Sequence, residues 1–125
     1  MSSPLFPGLL VEKTHLEQIG LLDEKCLAYQ ELDTSISLSK HCEFVYIDKP
    51  LFIYDTVSSY ISKNKIRSLI GKLYITEKFQ DEIWKYFGKG HIVNRYMAFA
   101  KQFIDNNCYE IATRCYALAQ KINAI

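Results

Sequence analysis

At 125 residues with a formal net charge of +1, the chain is one ordinary domain at most, and it has no basic field to draw it to nucleic acid or an anionic membrane. Its apolar share of 49% supports a packed core and argues against global disorder. No apolar run approaches the roughly 18 residues of a membrane span, and Met1-Ser2-Ser3 lacks the regions of a secretion signal, so the chain reads as soluble and cytoplasmic.

In chain order, Thr14 followed by Glu17 has the spacing of a capping box and predicts a short helix from about His15 to Ile19, stopped at Gly20. A turn at Asp23-Glu24 leads into the acidic stretch Tyr29-Gln30-Glu31-Leu32-Asp33. Asp33 or Thr34 is placed to cap a helix reaching about His41. Phe44–Ile47 and Leu51–Tyr54 are rich in β-branched and aromatic residues and are split by Asp48-Lys49-Pro50, which predicts a pair of strands. Small polar residues from Asp55 to Asn64 predict a loop.

Beyond Lys65 the pattern turns helical. Ile66, Leu69, Ile70, Leu73, Phe79, Ile83 and Tyr86 keep an apolar stripe until Gly88-Lys89-Gly90 breaks it. A further helix is expected from about His91 to Asp105, with Val93, Tyr96, Ala100 and Phe103 on one side. Asn106-Asn107 turns the chain, and Asn107 with Glu110 is spaced as an N-cap and its third helical residue. The last helix carries Ala112, Cys115, Tyr116, Ala119 and Ile122. This pair, residues 91–123, resembles a single tetratricopeptide-type hairpin: Tyr109-x-x-Ala112-x-x-x-Tyr116-x-x-Ala119 matches its second helix, and Ala100 and Phe103 match positions of its first. Ala124 stands where such repeats often have proline. One repeat cannot bury its own face and must lean on something else.

Cys26, Cys42, Cys108 and Cys115 form no C-x-x-C pair and, with His15, His41 and His91, no zinc spacing; reduced, mostly buried thiols are expected, with no metal ligand. The histidines have no Ser or Cys beside them in an activating pattern. Trp84 with Tyr74, Phe79, Tyr86 and Phe87 suits either a sugar-stacking platform or, by its helical spacing, core packing.

The ordered series in the first half resembles the acceptor side of family-2 glycosyltransferases, inverting enzymes of the GT-A fold. Pro7-Gly8-Leu9-Leu10-Val11 through Ile19-Gly20-Leu21-Leu22-Asp23-Glu24 looks like that family's helix and its Gly-Gly-Phe-Asp-Glu-like turn. The acidic stretch, Ser37-Leu38-Ser39-Lys40, the Phe44–Tyr54 segment and Tyr60-Ile61-Ser62-Lys63 follow in order, so the resemblance covers roughly half the chain. It implies an α+β, helix-dominant fold: an acceptor-side fragment with short helices and a strand pair over residues 1–64, then a helical bundle over 65–125.

Inverting transfer needs a carboxylate to take the proton of the attacking acceptor hydroxyl. Aligned backward from the Phe44 strand, Glu31 falls at the family's base position, with Gln30 beside it. Asp33, two residues on, should not share Glu31's direction and becomes a helix cap or acceptor contact. Ser59 and Ser62 are further acceptor-binding candidates; a plain turn is the competing reading there, as solvated helix-start carboxylates are for Glu31 and Asp33. Leu32 stands where members often carry an aromatic, Ser37 where they carry an arginine, and Val57 where many place a histidine that serves the metal–diphosphate site.

The chain has no Asp-x-Asp, Gly-rich phosphate loop or βαβ pattern before residue 30, so the donor-binding half is absent from it. The resemblance therefore implies no cofactor in this chain, and a divalent metal (Mg or Mn) with a nucleotide-sugar donor and a glycan acceptor in the longer enzyme. It also implies an exposed face, left by the missing half, through which copies could associate as a homo-oligomer. A rival expectation is a small helical protein-interaction module built on the C-terminal hairpin.

Overall fold

The computed structural model describes residues 6–53 and 64–125. The chain divides into two compact units, residues 1–60 and 61–125.

In the first unit a 3-10 turn at Phe6–Gly8 precedes helix α1, Lys13–Gln18. A Cβ built on Gly8 would lie 3.1 Å from the Phe52 ring, so the glycine lets the chain pass close to that side chain. Helix α1 begins before the expected capping box: Glu12 is the N-cap and makes no side-chain cap bond, and Thr14 lies inside the helix. It closes in a Schellman turn, with the Leu21 amide donating to Leu16 O at 2.8 Å and the Gly20 amide to Glu17 O at 3.1 Å. Gly20 and Leu21 both have positive φ, 81° and 67°. The Lys25 amide then donates to Asp23 Oδ1 at 3.0 Å, an Asx turn leading to α2, Gln30–Leu38.

The expected strand pair is not formed. Among the described residues every regular element is helical, and the α+β expectation gives way to an all-helical fold. Residues 43–48 belong to no regular element, and the Lys49 amide donates back to Ile47 O at 3.0 Å in a tight turn. The reason is physical: strand preference measures fit to a pleated, half-buried surface, and an isolated pair without a third strand or covering helix is marginal in water. Here Val45 and Tyr46 stay 89% and 85% exposed. Tyr54 lies outside the described residues.

The second unit is a helical assembly. Helix α3, Lys65–Lys78, is capped by Asn64, whose Oδ1 accepts from the Arg67 amide at 2.9 Å. A break at buried Phe79 separates it from α4, Gln80–Phe87, where the sequence pattern showed one continuous stripe. Gly88, at φ 81°, turns the chain into α5, Lys89–Asp105, so Gly90 lies within the helix. The link to the last helix, α6, Tyr109–Asn123, differs from the expected capping box. Asn107 adopts φ 60° and closes α5 in a second Schellman turn, with the Cys108 amide donating to Phe103 O at 2.8 Å and the Asn107 amide to Ile104 O at 2.9 Å. Cys108, not Asn107, is the N-cap of α6, and the Tyr109 hydroxyl donates to Asn107 Oδ1 at 3.0 Å.

The core of this unit joins Leu69 and Leu73 of α3 with Ile92, Tyr96, Phe99, Ala100 and Phe103 of α5 and Ala112, Cys115, Ala119 and Ile122 of α6. Three alanines in the α5–α6 layer allow close backbone approach, and Tyr96 and Phe103, both fully enclosed, fill the space beside them. The hairpin's open end is closed by Lys89, whose ammonium donates to Asn123 O at 2.9 Å. Arg114 of α6 reaches Glu77 of α3 at 2.7 Å, an ion pair exposed enough to contribute no more than about 1 kcal/mol.

The enclosed Tyr96 hydroxyl donates to Gln80 Oε1 at 3.0 Å. Burial, helped by the nearby Glu77 charge, pushes its ionisation up to about 12. Burial likewise raises the Cys115 thiol.

Two outcomes test this core. Ala112→Leu overpacks the α5–α6 contact and lowers stability by about 1–3 kcal/mol in urea titration, while Lys101→Leu on the exposed side is near neutral. The raised Tyr96 ionisation means the native state keeps a proton that the unfolded chain loses near pH 10. Its stabilising effect is complete below pH 10 and is lost as pH climbs towards 12; the urea midpoint falls over that window, and less steeply in Tyr96→Phe.

Candidate functional site

Gln30, Glu31 and Asp33 lie in the first turn of α2. The helix begins because Tyr29 adopts a left-handed conformation, φ 63° and ψ 35°, that swings the chain into it. Its carbonyl then accepts from the Leu32 amide at 3.0 Å and the Asp33 amide at 3.1 Å. Asp33 is therefore an interior helical residue and not the cap, and the N-cap, Tyr29, lies four residues before the earlier of the two expected caps.

The two carboxylates have different surroundings. Glu31 and Gln30 are partly exposed, whereas Asp33 is buried at 3% exposure together with Thr34 and Leu38. Two residues on a helix differ by roughly 200° in direction, which turns one side chain outward and the other inward. In this conformation Glu31 is the carboxylate open to solvent and Asp33 the enclosed one. Ser35 reinforces the turn, its hydroxyl donating to Glu31 O at 2.6 Å. Ser37, where the resembled family carries an arginine, is partly buried on the same helix. Ser59 and Ser62 lie outside the described residues, as does Val57.

Among the described residues no three His, Cys, Asp or Glu side chains converge as a metal ion would require. No helix among the described residues is long and apolar enough to cross a membrane.

The aromatic group around Trp84 is split. Trp84 packs against the core and Phe79 is buried, while Tyr86 and Phe87 stay exposed. Phe87 stacks instead on His91, with ring centroids 5.1 Å apart at 27°. Of the other histidines, His15 pairs within its own helix, Nδ1 lying 3.2 Å from Gln18 Oε1. All four cysteines are free thiols. The sequence pattern did not single out Arg95, whose guanidinium donates to Thr76 Oγ1 at 3.1 Å and lies over the Phe99 ring at 5.8 Å.

Comparison with protein-family models, with curated proteins and with solved structures finds no match.

The inward and outward carboxylates separate by stability. Asp33→Lys places a charge in the enclosed position and costs about 2 kcal/mol or more, read as a lowered urea midpoint. Glu31→Gln shifts the same midpoint by no more than about 0.5 kcal/mol.

Proposed function

We propose that the chain is the acceptor-side, C-terminal part of an inverting, nucleotide-sugar-dependent glycosyltransferase that acts in the cytoplasm on a glycan or polysaccharide acceptor. The observation that carries the reading is the placing of Glu31: partly exposed in the first turn of α2, beside partly exposed Gln30, with an apolar segment following the helix in the sequence. This is the order of parts on which the family resemblance rests. The unformed strand pair removes one of its supports and leaves the helix and its carboxylate.

In this role Glu31 accepts the proton of an acceptor hydroxyl as that oxygen attacks the anomeric carbon from the face opposite the nucleoside diphosphate. The carbon–oxygen bond to the diphosphate breaks, and configuration inverts. Gln30 is placed to orient the acceptor by hydrogen bonding. The donor and its divalent metal are bound by chain outside these 125 residues.

A second reading has an observation of its own. The α5–α6 pair packs through Ala100, Ala112 and Ala119, as a tetratricopeptide-like hairpin would, which favours a helical protein-interaction module without catalysis.

Mutation of the base separates the two. In the polypeptide that also carries the donor-binding half, Glu31→Gln cuts turnover by roughly 10²-fold to 10⁴-fold with donor binding little changed. Asp33→Asn costs less turnover and acts through stability. Equal, minor losses of turnover at both positions remove Glu31 as the base and leave the interaction reading.

A further inference from the structure

We propose that the corner between α4 and α5, residues 85–91, docks this chain on an anionic lipid surface. The formal charge of +1 is the sum of two opposite halves. Residues 61–125 hold eleven Lys and Arg against five Asp and Glu, a net +6, while residues 1–60 hold four against nine, a net −5. The second unit is therefore basic by itself, and from Ile83 to Ile104 it carries Lys85, Lys89, Arg95 and Lys101 with no carboxylate. A field of one sign over one unit draws it to a surface of the other sign.

The corner adds apolar surface to that charge. Tyr86 and Phe87, consecutive at the end of α4, are 71% and 68% exposed. Lys85 beside them and His91 in the first turn of α5 are exposed too. Lys89 ties the corner to the end of α6 through Asn123 O, so the last turn of α6, with exposed Lys121, lies at the same end of the unit. Asp81 and Glu82 stand at the other end of α4. Aromatic rings between lysines suit the boundary of a bilayer, where the rings enter among the headgroups and the ammonium groups meet lipid phosphates and carboxylates. Single-stranded nucleic acid also combines charge with ring contacts, but it stacks its bases on open ring faces. Here one face of each ring is already taken: the Lys85 ammonium lies 5.4 Å from the Tyr86 ring centroid, and His91 stacks on Phe87. Entry of the ring edges among headgroups leaves both contacts in place.

This docking involves no residue of α2 and is independent of the glycosyl-transfer reading. Co-sedimentation of the 125-residue chain with lipid vesicles tests it. The chain pellets with vesicles of phosphatidylcholine and phosphatidylserine mixed two to one, and stays in solution with phosphatidylcholine alone. Binding falls as salt rises. Lys85→Gln and Lys121→Gln each weaken it by about fivefold, and Tyr86→Ser/Phe87→Ser by about tenfold. Lys101→Gln removes the same charge about 18 Å from Lys89 along α5 and changes binding by less than about twofold. All five residues are exposed, so helical circular dichroism stays unchanged. No binding to the anionic vesicles overturns the proposal, as does equal binding to both kinds. So does a loss in Lys101→Gln equal to that in Lys85→Gln, which makes net charge the whole cause, or indifference to the Tyr86/Phe87 change. Binding to a single-stranded oligothymidylate in place of the vesicles overturns it in favour of nucleic acid.

Discussion

The close approach of α5 and α6 is the constraint on which the second unit depends. Alanines at 100, 112 and 119 remove the side-chain volume that would hold the two backbones apart, and interaxial distance follows the side chains at the contact. Once the helices are close, Tyr96 and Phe103 lie fully enclosed, and a phenol so placed needs a polar partner. Gln80 supplies it from the first residue of α4. That bond sets where α4 begins, and with it the break at Phe79. The chain thus passes from a small-residue contact to an aromatic core, and from the core to a hydrogen bond that positions a further helix.

The first unit is built on a different balance. Its buried residues include Asp33, Thr34 and Ser35 beside Cys26, Ala28 and Leu38, while Val45, Tyr46, Leu51 and Ile53 face solvent. Enclosing hydroxyls and a carboxylate while exposing large apolar side chains runs against the usual direction of burial. The same unit presents Glu31 and holds Asp33 inward, so local helix geometry gives two neighbouring carboxylates different surroundings.

Much of the second unit was legible in the sequence, because its signals are periodic. The spacing of Val93, Tyr96, Ala100 and Phe103, and of Ala112, Cys115, Tyr116, Ala119 and Ile122, marks the inner faces of α5 and α6; all are buried except Val93 and Tyr116, which are half-buried against the same core. Capping was read less well. Asn107 and Glu110 have the spacing of a capping box, yet Asn107 is used to close the preceding helix, since the left-handed conformation that a C-terminal turn requires is one asparagine tolerates. Thr14 likewise lies inside a helix whose N-cap, Glu12, makes no side-chain bond. A short polar residue serves equally at a helix start, a helix end or a turn, and sequence spacing does not choose among them.

By itself the sequence determined the helical periods, the stop at Gly20, the turn at Asn106-Asn107 and that Glu31 and Asp33 point in different directions. These follow from backbone geometry and spacing within one element. Tertiary structure alone decided the fate of Phe44–Ile47, the role of Asn107 and the start of α2 at a left-handed Tyr29. Strand preference becomes a strand only when another surface is present to bury it, and which surface meets a given segment depends on residues far away in the chain.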